Sequence, residues 1–162
     1  MQHKLLLFLI LSLLSYQSHA LDWDQVNSKI QRKFPSVEHI SIEQFNTKDP
    51  AKILLIDVRE YEEYAVSHIP GAQNVTDPKA IAALALQEQK DIVVYCSVGY
   101  RSAKMAQELE KLGVNNVVNL KGSIFAWADA GLPLVNQAGT TRAVHSFDKH
   151  WGQLLNETVP SR

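Results

Sequence analysis

Three short apolar runs constrain this chain more than any other feature. Ile53-Leu54-Leu55-Ile56, Ile92-Val93-Val94-Tyr95 and the run from Val117 to Leu120 are nearly continuous rather than alternating, and Asp57, Cys96 and Lys121 follow them directly. A strand with one face in water alternates apolar and polar side chains, whereas a strand covered on both faces has no such need. Parallel sheets are covered in this way because each crossover lays a helix on a face. The segments between the runs carry helical spacing, so the chain is expected to be α/β, with a mainly parallel central sheet and helices on both faces. Ligands of such sheets bind beyond the carboxyl ends of the strands. Asp57, Cys96 and Lys121 are therefore expected to converge on one crevice, with Cys96 at its rim and not in the interior.

The clearest helix is expected over residues 102–112, where Met105, Ala106, Leu109 and Leu112 form one stripe and Gly113 follows as a stop. Residues 21–34 repeat Trp23, Val26, Ile30 and Phe34 at helical spacing, with Asp22 or Asp24 as N-cap and Pro35 as terminator. Shorter helices are expected at 41–45, 60–66, 79–87 and 122–130, an edge strand at 37–40 and a short strand at 73–75. Near the C-terminus, Val144, Phe147, Trp151 and Leu155 predict an amphipathic helix over 143–155 that packs on the domain.

Residues 1–20 read as a secretory signal. Lys4 precedes a 12-residue apolar stretch over 5–16, and Ser18-His19-Ala20 resembles a signal-peptidase site. That stretch is short for a membrane-spanning helix, which needs about 20 residues. The expected layout is a signal peptide over 1–20, a helical segment over 21–35, one domain over 36–135 and a helical extension over 136–162. The mature protein is expected to be periplasmic or secreted, without stable membrane insertion. With 16 basic residues against 17 acidic ones and a net charge of -1, there is no electrostatic case for nucleic acid as a partner. Asn74-Val75-Thr76 and Asn156-Glu157-Thr158 are glycosylation sequons that matter only in a eukaryotic secretory pathway.

One cysteine in the chain excludes an internal disulfide, a Cys-rich zinc site and dithiol redox chemistry. In an oxidising compartment an unpaired thiol needs a reason; the alternative is a buried thiol acting as a small hydrophobe. Cys96-Ser97-Val98-Gly99-Tyr100-Arg101-Ser102 joins an expected strand to an expected helix. Backbone N–H groups in such a loop can turn inward as an anion-holding nest. Gly99 permits a conformation that other residues resist, and Ser102 can cap the helix. The helix N-terminus and Arg101 both favour negative charge, which is expected to lower the Cys96 pKa. A thiolate ringed by amide donors can attack an electrophilic sulfur and keep it as a persulfide.

These residues resemble the single-domain rhodanese, or thiosulfate sulfurtransferase, family. Asp57-Val58-Arg59, Glu63-Tyr64 and His68-Ile69-Pro70-Gly71-Ala72 are similar to its first signature, and Cys96-x-x-Gly99-x-Arg101-Ser102 to its active-site loop. Gly122-Ser123, Ala126-Trp127 and Ala130-Gly131-Leu132-Pro133 resemble its closing signature. The resemblance covers residues 36–135. It implies that Cys96 bears the persulfide, that Ser97, Val98, Gly99, Tyr100 and Ser102 belong to the substrate-binding loop, and that Arg101 closes the loop and faces anionic donors. It implies that Asp57 and Arg59 brace the site. The implied reaction carries sulfane sulfur from a small donor such as thiosulfate to a thiophilic acceptor, cyanide or a thiol, without cofactor or metal; a protein acceptor stays open. The alternative is a rhodanese-like module that carries sulfur or binds protein without turnover. Related phosphatases of the family fold separate Cys and Arg by five residues, whereas four separate Cys96 from Arg101. Two positions depart from the family pattern: Ser67 stands in place of a glycine before the histidine, and Ser123 in place of the second glycine of a pair.

Several residues read equally or better as structural. Asp57 is as readily a cap or an ion-pair partner of Arg59 as a substrate contact. His68 beside Ile-Pro-Gly reads as a hydrogen-bonded turn residue, and His145 and His150 are wrongly spaced for one helical metal face. Tyr100 stands at the loop's shoulder, where it would shape acceptor access.

Overall fold

The absence of alternation in the three runs reflects where the strands lie. In a computed structural model that describes residues 21–162, β2 (Ile53–Asp57), β4 (Asp91–Tyr95) and β5 (Val117–Leu120) occupy the middle of one sheet. β1 (Glu38–Ile40) and β3 (Gln73–Asn74) form its edges, the order is β1-β5-β4-β2-β3, and every pairing is parallel. From Ile92 to Tyr95 no side chain reaches solvent. Water therefore selects nothing along β4, and its residues need only fill space between two layers of helices. The expected α/β architecture is the observed one. The expected signal sequence lies outside the described residues.

Among the described residues six α-helices flank the sheet. α1 (Trp23–Lys33) is capped by the Asp22 carboxylate, which accepts from the Asp24 amide at 3.3 Å. α2 (Ile42–Asn46) opens with a Ser41/Gln44 capping box, and α4 (Pro78–Glu88) with Asp77 and a proline in its first turn. α3 (Tyr61–Val66) follows β2. α5 (Tyr100–Lys111) packs on α4 and buries Ala103, Ala106 and Leu109. α6 (Ser123–Asp129) meets α2 where Phe45 stands edge-on to Trp127 at 5.7 Å. Among the described residues no helix is long and apolar enough to cross a membrane.

Two expectations are corrected. α5 begins at Tyr100 with Gly99 as its N-cap, so Ser102 lies inside the first turn and does not cap it. The helix expected over 143–155 does not form. Val144 instead pairs with Ser161: its N–H donates to the Pro160 carbonyl at 2.9 Å, and its carbonyl accepts from the Arg162 N–H at 3.0 Å. Phe147 then takes a left-handed backbone with φ 65°, and only a short 3-10 turn forms, over Trp151–Leu154. Val144, Leu154, Leu155 and Val159 still reach the core, because tertiary pairing satisfies this segment where i→i−4 bonds would have done so. β6 (Leu134–Asn136) and β7 (Gly139–Thr141) form an antiparallel hairpin that carries no sequence signal, since three-residue strands are too short to display a period.

Candidate active site

Parallel β4 delivers Cys96 to the carboxyl edge of the sheet, and the loop folds back over it. The thiol is 1% exposed, so it sits beneath the loop and not on an open rim as expected. The Gly99 N–H donates to Cys96 Sγ at 3.2 Å, and the Ser102 hydroxyl lies 3.5 Å from the same sulfur. Gly99 has φ 107°, a backbone that turns its amide toward the sulfur and strongly favours glycine. Asn119 Nδ2 holds the Gly99 carbonyl at 3.1 Å. On the other side the Cys96 N–H donates to Ser123 Oγ at 3.1 Å, and the Ile124 and Phe125 amides donate to the Cys96 and Ser97 carbonyls at 3.2 and 3.1 Å. Ser123, one of the two departures from the family pattern, lies outside the loop in sequence but in space bonds the backbone of the thiol residue.

Arg101 does not point freely at solvent. Its Nη1 and Nη2 donate to Glu63 Oε2 and Oε1, each at 2.7 Å, and Nη2 also donates to Ser97 Oγ at 3.0 Å. Ser97 Oγ in turn donates to Glu63 Oε1 at 3.0 Å. The Glu63 side chain is 4% exposed and that of Arg101 31%. Sequence reasoning placed Glu63 in a signature but gave it no part in the site, because the ion pair joins residues 38 positions apart on different helices. Burial pushes the Cys96 thiol up, but Arg101, the Ser102 hydroxyl and the Ser102 and Gly99 amides together bring it below its ordinary value. Burial likewise raises the Glu63 carboxyl, and Arg101, Arg59 and Ser97 more than reverse it. The arrangement is a thiol disposed to ionise beside an arginine that is already half of an ion pair.

Asp57 and Arg59 form a separate buried pair. Neither side chain is exposed; Arg59 Nη2 meets Asp57 Oδ2 at 2.6 Å, Nε meets Oδ1 at 2.9 Å, and Nη2 also donates to the Ser67 carbonyl at 2.7 Å. Of the two readings left open for Asp57, this geometry is the ion pair. Asn74 Nδ2 donates to the Asp57 and Arg59 carbonyls at 3.0 and 2.7 Å, so its amide is engaged by backbone. His68 bonds the Tyr64 carbonyl at 3.1 Å and stacks on the Tyr64 ring, as a turn residue. Lys121 lines a different groove, beside Trp23 and Ser41, so the three strand ends do not share one crevice. β2 and β5 lie on opposite sides of β4, so their ends are two strands apart.

A cleft of about 180 Å³ opens above the thiol. Cys96, Ser97, Val98, Tyr100 and Arg101 form its floor and one side, and Phe147 and Trp151 from the C-terminal segment form the other. Tyr100 is 43% exposed and packs edge-on against Phe34 at 5.2 Å. Among the described residues no group of three or more His, Cys, Asp or Glu side chains is placed to hold a metal ion. Such a cleft can admit a small electrophile to a thiolate whose charge is stabilised by amides.

Residues 42–130 match the model of the rhodanese-like domain. A sulfurtransferase of Allochromatium vinosum is 36% identical over 94 residues, which cover 56% of this chain and 86% of that protein. The tRNA uridine(34) hydroxylase of Escherichia coli is 30% identical over 122 residues, 68% of this chain but 34% of that protein. Thiosulfate sulfurtransferase from Pseudomonas aeruginosa shares the fold, with a TM-score of 0.58 and 20% identity over 82% of this chain and 26% of that one. The chain thus spans most of the first relative and about a third or less of the other two. The family match takes in β2, β4 and β5 together with Glu63, Cys96, Arg101 and Ser123, and on that ground this chain belongs to the rhodanese-like domain family.

Proposed function

We propose that this protein is a sulfurtransferase working through a persulfide on Cys96. The observation that carries the reading is the buried thiol itself, with the Gly99 amide 3.2 Å from its sulfur and a pKa drawn below its ordinary value by Arg101 and the loop. In the proposed cycle the Cys96 thiolate attacks the outer sulfur of a donor such as thiosulfate. The donor's S–S bond breaks, sulfite leaves with its electron pair, and a cysteine persulfide anion remains. The amides of Ser97 through Tyr100 and the Ser102 hydroxyl hold that anion, and Arg101 compensates its charge. Cyanide or a thiolate then attacks the outer sulfur, takes it, and returns Cys96 as thiolate. Asp57 and Arg59 brace the site as an ion pair at the end of β2 that also holds the Ser67 carbonyl. The relative named sulfurtransferase supports a transferase role. Residues 1–20 support export to the periplasm or beyond, which the N-terminal mass of the mature protein tests.

The test of the chemistry is intact mass after thiosulfate and then after cyanide, beside Cys96→Ser. A gain of one sulfur atom, discharged by cyanide and absent from the variant, is expected, with steady-state thiocyanate formation. No gain on demonstrably reduced Cys96 refutes the proposal. One equivalent transferred without turnover makes the protein a carrier instead.

A further inference from the structure

The cleft over Cys96 has a wall that the family match does not include. The match ends at residue 130, whereas Phe147 and Trp151 stand across the cleft from the thiol loop. Phe147 lays its ring over the Arg101 guanidinium, 4.7 Å from Cζ to the ring centroid. A bulky residue seldom adopts the positive φ found at Phe147, and this one is held there: its N–H donates to His145 Nδ1 at 3.0 Å. The Trp151 N–H donates to Asp148 Oδ1 at 2.8 Å, which fixes the next turn. The segment is anchored on both sides, through the Val144–Ser161 bridge and through the buried side chains of Leu154 and Leu155. An uncommon backbone, kept in place to set an aromatic ring beside the reacting residue, points to a ligand-facing role.

The charge of the cleft agrees with the shape. Arg101 has both terminal nitrogens on Glu63 and one face under Phe147, so beyond the charge it lends the Cys96 sulfur it keeps few free donors with which to select a ligand. The walls that remain are apolar. A cleft of about 180 Å³ compares with the roughly 150 Å³ apolar cavity that holds a benzene ring.

Resting on the persulfide reading, we propose that Phe147 and Trp151 are specificity-determining residues that select sulfur donors or acceptors bearing an aromatic or similarly compact apolar body. The step is unchanged in its balance. The thiolate attacks the outer sulfur of an organic thiosulfonate, the S–S bond breaks, and the sulfinate leaves with the electron pair.

Methanethiosulfonate and benzenethiosulfonate have the same reacting group and charge, so their ratio of kcat/KM isolates the body. The wild-type protein is expected to prefer the phenyl donor about tenfold or more, the range that added apolar contact supplies in a pocket. Phe147→Ala is expected to reduce that preference to less than threefold, mainly by lowering kcat/KM for the phenyl donor, and a cooperative urea transition with the wild-type m shows that the variant is folded. Trp151→Phe is expected to reduce the preference in part. No preference in the wild type, or a preference that survives in both variants, overturns the inference and leaves the persulfide reading intact. Failure of both donors and of thiosulfate to load Cys96 by mass removes both readings.

Discussion

Ser123 allows a quantitative test of how the thiol loop is held. Its side chain is fully buried, its hydroxyl accepts from the Cys96 N–H at 3.1 Å and donates to the Leu120 carbonyl at 3.0 Å, and its backbone has φ 51°. Ser123→Ala keeps the strained backbone and removes the hydroxyl. A buried donor left without a partner is worth about 1–3 kcal/mol, so S123A is expected to lose about that much stability. Ser123→Gly loses the same bond but escapes the left-handed penalty of about 1–2 kcal/mol, less the roughly 0.4–1 kcal/mol that glycine's freer unfolded chain costs. S123G is therefore expected to be the more stable variant by roughly 0.5–1 kcal/mol, or a few degrees in Tm for a domain of this size. Urea unfolding of both variants beside wild type, with unchanged m, measures the two effects separately. A wild-type midpoint for S123A would mean that the hydroxyl does not hold the Cys96 amide. S123A outlasting S123G would mean that the positive φ carries no strain.

Two further outcomes follow from the ion pairs. Arg101→Met removes the chief influence that lowers the Cys96 pKa, so the thiolate absorbance is expected to titrate at higher pH than in wild type and alkylation at neutral pH to slow about tenfold or more. The native pKa is depressed, so thiolate formation favours the fold above the unfolded thiol's pKa, and that contribution is lost as pH falls through the native value. An unmoved titration would remove Arg101 from the electrostatic account. Asp57→Asn leaves the guanidinium of Arg59, itself unexposed, without a counter-ion, and is expected to cost about 3–5 kcal/mol in urea unfolding; a loss below about 1 kcal/mol would show that water or another group compensates Arg59.

The parallel sheet was legible in the sequence because burial on both faces acts on each residue in turn. It leaves a local signature in Ile53–Asp57 and in Ile92 to Tyr95, whatever the partners are. The loop from Cys96 to Ser102 was legible for a related reason: a thiol, a glycine, an arginine and a serine within seven positions limit one another's conformations. The same locality misled at the C-terminus, where Val144, Phe147, Trp151 and Leu155 keep helical spacing without a helix. Of these four, Val144 and Leu155 are buried and Trp151 partly so, while Phe147 is left exposed at the cleft; pairing of Val144 with Ser161 in extended form buries the segment without a helix.

What the tertiary structure alone decided are contacts between residues distant in the chain. Glu63 reaches Arg101 across 38 positions and Ser123 reaches the Cys96 amide across 27, and Phe147 comes over Arg101 from the far end of the domain. No periodicity encodes such meetings, because each depends on how β2, β4 and β5 are ordered in the sheet and on where the chain crosses between them. The composition and order of residues determined that a thiolate loop would stand at the end of a buried strand. Packing determined that its arginine is paired with Glu63, that its thiol is covered, and that two aromatic rings line its cleft.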